Sequence, residues 1–209
     1  MSGFKGWPVE AVEFFEGLEA DNTKTYWQAH RSTYDEKVLA PMVALLEELA
    51  PEFGAGHVYR PYRDVRFSKD KRPYKTNIAA SNEGGYISLS SEGLGIGCGL
   101  YMPDTATLER YRASVADERT GTELVKLIAA LTRKGMEVSA HETLKTAPRG
   151  YPKDHPRIDL LRQKGITVWK QWEVGAWLGT AAARKRVVEA LKAAEPLRRW
   201  LADNVGVGH

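Results

Sequence analysis

Residues 86–103 read "YISLSSEGLGIGCGLYMP", and the period of this stretch decides the fold class. Ile87 and Leu89 alternate with Ser88 and Ser90, which puts apolar side chains on one face of an extended strand and hydroxyls on the other. Ser91 to Gly93 supply a turn, and Leu94, Ile96, Cys98 and Leu100 then line one face of a return strand. The reading is a β-hairpin, and therefore antiparallel pairing. The other face of the return strand is Gly95, Gly97 and Gly99. Bare backbone there lets a helix or a ligand approach closely, and the expectation is a helix.

Working outward, "HVYRPYRDVRF" (57–67) also alternates. Tyr59, Arg63, Val65 and Phe67 fall on one side and Val58, Arg60, Tyr62, Asp64 and Arg66 on the other, interrupted by Pro61. Before it the period is helical. Pro8 suits the first position of a helix that carries Ala11, Phe14 or Phe15 and Leu18 and ends near Asp21. Asn22 is read as the cap of a second helix, with Trp27, His30 and Tyr34 on one face. Leu39, Met42, Leu46 and Leu49 continue the pattern, and Pro41 either kinks that helix or starts another.

Downstream, Asp104 caps a helix with Leu108, Tyr111 and Val115, and Thr122 caps one with Leu124, Leu127 or Ile128 and Leu131 that stops at Gly135. "MEVSA" (136–140) and "ITVWKQW" (166–172) read as strands and "RIDLLRQKG" (157–165) as a short helix. Thr180 caps a last helix with Val187, Leu191, Leu197 and Leu201, which Pro196 divides. Helices, then strands, then mixed elements without strand–helix alternation predict α+β: a mainly antiparallel sheet packed by N-terminal, middle and C-terminal helices. At 209 residues the expectation is one domain.

Composition narrows the functional classes. With 43% apolar and 27% charged residues the chain is of ordinary globular make-up, neither disordered nor a disulfide scaffold. The lone Cys98 cannot form an internal disulfide. No N-terminal stretch has signal-peptide length and none has bilayer-spanning length, so a soluble cytoplasmic protein without membrane contact is expected.

The net charge of +3 is unevenly distributed. Between Val58 and Thr76, Arg60, Arg63, Arg66, Lys69, Lys71, Arg72 and Lys75 face Asp64 and Asp70, a local +5 that leaves −2 for the rest of the chain. A second island, "KTAPRGYPKDHPR" (145–157), sets Lys145, Arg149, Lys153 and Arg157 against Asp154, a local +3, in a loop rich in proline. Positive charge gathered in two segments points to an anionic partner.

The residues that carry this charge also carry a resemblance. "RDVRFSKDKRPYKT" (63–76), with "GLYMP", "RYR", "KTAPRGYPKDHP", "PLRRWL" and the early "DNTKTYWQAHRSTY", resembles a widespread, mainly bacterial group, domain of unknown function family 2461, over nearly the whole chain. The resemblance implies a single domain and carries over no catalytic residue. It marks Arg63, Asp64, Arg66, Phe67, Lys69, Asp70, Lys71, Pro73, Tyr74, Lys75 and Thr76, with Pro148, Gly150, His155 and Pro156, as signature positions.

From the residues themselves the leading expectation is binding of an anionic, phosphate-bearing small molecule. Arg63, Arg66, Lys69, Lys71, Lys75, Arg149 and His155 bind it, the two basic segments being brought together. An arginine on a core-facing side, as Arg63 is read, seeks an ion pair or lines a pocket. One rival is a hydrolase or phosphoryl-handling enzyme using Asp64, Asp70, Tyr74 or His155, the last a loop histidine beside Asp154. Another is a non-catalytic interaction domain whose basic motif is an internal network. "HETL" at His141 lacks the second histidine of a zinc helix, and no phosphate-binding loop or nucleophile elbow occurs, so no metal or cofactor is expected. Trp169, Trp172 and Trp177 read as core anchors ahead of a base-stacking platform, and the −2 remainder argues against a long nucleic-acid track.

Overall fold

The computed structural model describes residues 3–66 and 69–207. It is α+β, with a six-stranded antiparallel sheet packed against helices, as the alternation of residues 86–100 requires. The strands are β1 His57–Val58, β2 Asn77–Asn82, β3 Gly85–Ser90, β4 Gly93–Leu100, β5 Glu137–Ser139 and β6 Ile166–Trp172, in the order β1-β2-β3-β4-β6-β5. The helices are α1 Val9–Ala20, α2 Lys24–Ala29, α3 Arg31–Thr33, α4 Ala40–Phe53, α5 Thr105–Ala116, α6 Glu118–Arg133, α7 Ile158–Arg162 and α8 Ala182–Val205. Among the described residues no helix is long and apolar enough to cross a membrane. The chain forms two compact units, one from residues 1–96 and 171–190, the other from 97–170 and 191–209.

In the first unit α1 buries Ala11, Phe14, Phe15 and Leu18, the helical stripe of its sequence. Pro8 stands one position earlier than expected, as the N-cap. Thr23, not Asn22, caps α2 by accepting a hydrogen bond from the Tyr26 N–H. Between α3 and α4 lies one wide π turn, Tyr34–Leu39, in which the Ala40 N–H donates to Asp35, five residues back. Pro41, just beyond, takes the second of its two expected roles: it stands in the first turn of α4, where a missing N–H costs little. Trp7, 1% exposed, donates its indole N–H to the Val38 carbonyl inside that turn at 3.2 Å. Met42, Leu45, Leu46 and Leu49 of α4 are buried, and α4 packs on β1 and β2. Each fully buried side chain of this kind contributes about 1.5–3 kcal/mol. In β3, Ile87 and Leu89 are buried and Ser88 and Ser90 half-buried, as the alternation predicts.

In the second unit Asp104 caps α5 and Asp117, not Thr122, caps α6, each accepting from the amide three residues on. The competition was local: Asp117 lies where helical φ and ψ begin, and Thr122 falls inside the helix. Trp200 donates its indole N–H to the Thr120 carbonyl at 3.0 Å. The glycine face of β4 meets a neighbouring strand rather than a helix. A Cβ at Gly97 would stand 2.7 Å from the Trp169 ring, and one at Gly99 2.2 Å from the Ile166 carbonyl oxygen. An aromatic ring laid over a strand glycine replaces the side chain that glycine lacks. Pro196 lies inside α8, which does not break there. Cys98 is half-buried, and burial pushes its thiol up to about 11, so little of it is thiolate at neutral pH.

Candidate functional site

The first basic segment is the excursion between β1 and β2, at the edge of the sheet. The two strands pair His57 with Ser81 and Val58 with Ala80, and the Tyr59 N–H still reaches the Ala79 carbonyl at 2.8 Å. Pro61 then interrupts the ladder because it has no N–H to give. Its carbonyl accepts from the Lys75 N–H at 2.8 Å, the Pro73 carbonyl accepts from the Arg63 N–H at 2.9 Å, and Tyr62 bridges Tyr74. The extended stretch expected over 57–67, interrupted at Pro61, is therefore a two-residue strand, a single further bridge and a turned-out head. The expected alternation of sides persists beyond this bridge, with Arg63 and Val65 half-buried and Tyr62, Asp64 and Arg66 exposed, and Phe67 lies outside the described residues.

The stem of this hairpin is fastened from elsewhere in the unit. The Asn22 side chain accepts from the Tyr74 N–H at 3.0 Å and donates to the Tyr74 carbonyl at 3.2 Å, so one amide serves as a strand partner. The Tyr74 ring stacks on Trp27 of α2, centroids 4.5 Å apart and planes 8° apart, and Tyr62 lies 5.4 Å from Tyr74. Tyr74 is 5% exposed and burial raises its pKa, which fits an anchor better than a proton donor. His30 stacks on Tyr26 and its Nδ1 lies 2.9 Å from the Tyr26 carbonyl, the satisfied role expected of it.

The head contains the same device twice. In Asp64-Val65-Arg66 the aspartate accepts from the Arg66 backbone N–H at 3.2 Å, from its Nε at 3.0 Å and from its Nη2 at 2.7 Å. In Asp70-Lys71-Arg72 the corresponding distances are 3.0, 3.1 and 2.7 Å. Each aspartate thus closes a tight turn and grips the guanidinium two residues on in a bidentate pair. Arg63 adds its Nη1 to Asp70 at 2.5 Å, the ion pair that its inward position requires. Lys71 donates to the Val65 carbonyl at 3.0 Å. Lys75 Nζ lies 5.7 Å above the Tyr59 ring, and burial first, then Arg60, lowers its pKa. Arg60 and Lys69 are exposed.

These contacts set the chemistry of the carboxylates. Hydrogen bonds from the Arg66 side chain hold Asp64 below its ordinary value, and those from Arg72, then Arg63, hold Asp70 well below it. Both are ionised at neutral pH and poorly suited to accept a proton there.

The second basic segment belongs to the other unit. Thr143 bridges Gln163, with the Leu144 N–H donating to the Arg162 carbonyl and the Lys164 N–H to the Glu142 carbonyl, both at 2.8 Å. Inside the loop Arg157, its side chain 9% exposed, turns away from solvent. Its Nε donates to the Val115 carbonyl at 2.7 Å and its Nη2 to the Ala116 and Asp117 carbonyls at 2.9 and 3.2 Å, closing the end of α5. His155 Nδ1 accepts from the Arg157 N–H at 3.0 Å, so the ring is fixed with one nitrogen occupied. Lys145, Arg149, Lys153 and Asp154 are exposed. Gly150 has φ +89°, a left-handed turn that glycine adopts without strain.

Arg63, Asp64, Arg66, Lys69, Asp70 and Lys71 are therefore gathered in one head, with Tyr74 and Lys75 in its stem, whereas Arg149 and His155 lie in a loop of the second unit. Reading the sequence for charge missed the repeat of a cation, Asp, any residue and Arg at 63–66 and 69–72, a signal present in the letters. It also missed Asn22, whose partner lies 52 residues away. The tryptophans are half-buried: Trp169 covers Gly97, and Trp177 carries the Arg186 guanidinium 4.4 Å above its ring.

Comparison with known proteins matches residues 10–200 to one family, described as "Conserved hypothetical protein (DUF2461)". No curated protein and no solved structure matches the chain.

Proposed function

We propose that this chain, which belongs to the DUF2461 family, binds an anionic, phosphate-bearing ligand through the head of the Tyr62–Tyr74 hairpin. One observation supports the reading above the rest. The two aspartates of the head grip the guanidiniums of Arg66 and Arg72 in matching poses at the surface, their side chains 76% and 52% exposed. Fixed guanidinium forks are what bidentate recognition of phosphate needs. Arg60, Lys69, Lys71 and Lys75 add charge that two carboxylates cannot offset, so the head attracts anions. The exposed Arg149 and Lys153, with His155 beside them, are a second patch of the same chemistry on the other unit. The ligand is a small molecule met in the cytoplasm of a bacterial cell.

The test is thermal unfolding with phosphate, nucleotides, phosphosugars and short DNA and RNA, since a ligand of the native state raises stability by mass action. A concentration-dependent rise that Arg66→Ala removes supports the head as the site, and loss in Arg149→Ala assigns the second patch to it. A flat response to every compound sinks the proposal. A second reading has its own observation: the same Asp–Arg pairs close on themselves, as in an internal network that only shapes the hairpin. On that reading Asp64→Ala and Asp70→Ala alter the head's amide exchange and no anion protects it.

A further inference from the structure

We infer that the ligand presents a terminal phosphate, as a phosphate monoester does, and that this group takes the place between Arg63 and Arg72 that the Asp70 carboxylate now fills. The inference rests on the anion-binding reading above and narrows it to a ligand class and a position.

Arg63 Nη1 and Arg72 Nη2 reach the same oxygen, Asp70 Oδ2, at 2.5 and 2.7 Å. Arg72 Nε lies 3.1 Å from Oδ1 and 3.0 Å from Oδ2, and Oδ1 also accepts from the Arg72 backbone N–H at 3.0 Å. One carboxylate, with two oxygens and one charge, is thus shared by two guanidinium forks and a backbone donor. Each fork can engage an anion through two parallel N–H groups, which is more than Asp70 can match for both at once. A phosphate monoester has three terminal oxygens and, with its second ionisation near about pH 6, approaches two charges at neutral pH. It can satisfy both forks. A phosphodiester has two such oxygens and one charge, and offers the arginines no more than the carboxylate it would displace.

The exchange is mechanically local. Asp70 has 31% of its side chain exposed, so its carboxylate can rotate out to water without opening the core. The stem stays fastened meanwhile by Asn22 and by the stack of Tyr74 on Trp27. A resident carboxylate that must be displaced lowers every anion's affinity by the same factor. Selectivity for a terminal phosphate comes from its third oxygen and second charge, which the two forks engage and a diester does not offer.

The experiment is calorimetric titration of wild type and Asp70→Asn with inorganic phosphate, a simple alkyl phosphate and a dialkyl phosphate at one ionic strength. Asparagine retains the oxygen that caps the Arg72 N–H while removing the charge. The expected result is wild-type binding of the first two and weaker binding of the dialkyl ester, with Asp70→Asn tightening the monoester about tenfold or more. Equal or weaker monoester binding in Asp70→Asn overturns the inference and leaves the anion site standing, with Asp70 as its support. Binding of none of the three to either protein overturns the anion-binding reading itself. Should the variant not fold, the Asp70 carboxylate carbon of the wild type, followed by NMR, decides. The alkyl phosphate must shift its resonance and move its titration towards the ordinary aspartate range, and an unmoved resonance in a saturated protein overturns the inference.

Discussion

The hairpin closed by Tyr62 and Tyr74 and the loop closed by Thr143 and Gln163 are alike as strings of letters. Both are basic, both contain prolines, and each is fastened at its base by a single antiparallel bridge. They differ in what their arginines hold. In the first, Arg63, Arg66 and Arg72 answer to carboxylates of the same loop. In the second, Arg157 and Arg162 are drawn in by backbone carbonyls, at Val115 and Leu144 among others, and only their outer edges meet carboxylates, the exposed Glu118 and Asp159. A carbonyl partner belongs to the scaffold, so the arginine is drawn inward and becomes a tether. An aspartate two residues away travels with the loop, so the arginine stays at the surface with its pose fixed. Charge density in a sequence therefore does not distinguish a fastening from a binding surface. The nature of the arginine's partner does.

Substitutions can break or sharpen that contrast. The largest effect is expected at Arg157→Ala, which strands part-buried carbonyls at the end of α5 and removes a largely buried side chain, and should cost about 2–4 kcal/mol in chemical denaturation. Arg157→Lys should recover less than half, because an ammonium has no planar fork. A cost near zero would erase the distinction between tether and surface. Next is Asn22→Ala, which releases both hydrogen bonds to Tyr74 and should cost about 1–3 kcal/mol, with faster amide exchange at Arg63 and Lys75 as its local sign. Asn22→Asp, which retains only an acceptor, should fall between.

A smaller effect is expected from acid. Asp70 has a folded pKa lowered from its ordinary 3.8, so its stabilisation is present above that value and fades as pH falls below it towards the lowered one. Acid unfolding of Asp70→Asn should lack that share of the slope, and identical acid curves would show that the pair does not form in solution. Smallest of all, Arg66→Ala and Arg149→Ala should leave the denaturation midpoint where it was, because exposed charges are screened by water and salt. A marked loss of stability in Arg66→Ala would move it to the tether class and favour the internal network.

The sequence made the sheet legible where one face differs from the other. Ile87 and Leu89 against Ser88 and Ser90 announced β3, because one set of side chains is buried more deeply than the other. Strand β2 was silent, since Ile78, Ala79 and Ala80 are all buried and a strand covered on both faces has no alternation to show. Local caps were partly legible: Asp104 was found, and the rival positions Asn22 and Thr122 were separated from the true caps by one and five residues. The basic head was visible as charge, and its twin Asp-x-Arg turns were readable in principle. What no local pattern could disclose is that Asn22 completes the backbone of Tyr74, or that Arg157 closes a helix 40 residues upstream. Those partners are set by the fold and leave no period behind.

The wide turn at Tyr34–Leu39 bears on how this helix came to its present length. Buried positions 34, 38, 42 and 46 are spaced by fours, and in an α-helix each step of four advances about 40° beyond a full circle. Uncorrected, that drift would swing the stripe away from the core within a few turns. The turn closed by Ala40 on Asp35 admits an extra residue and takes back part of the rotation, so Tyr34 and Met42 can serve the same interior. It is the geometric mark of a one-residue insertion absorbed without breaking the helix. Removing a surface residue such as Glu36 should give a regular helix in this stretch, with the buried side chains of both flanks still in phase.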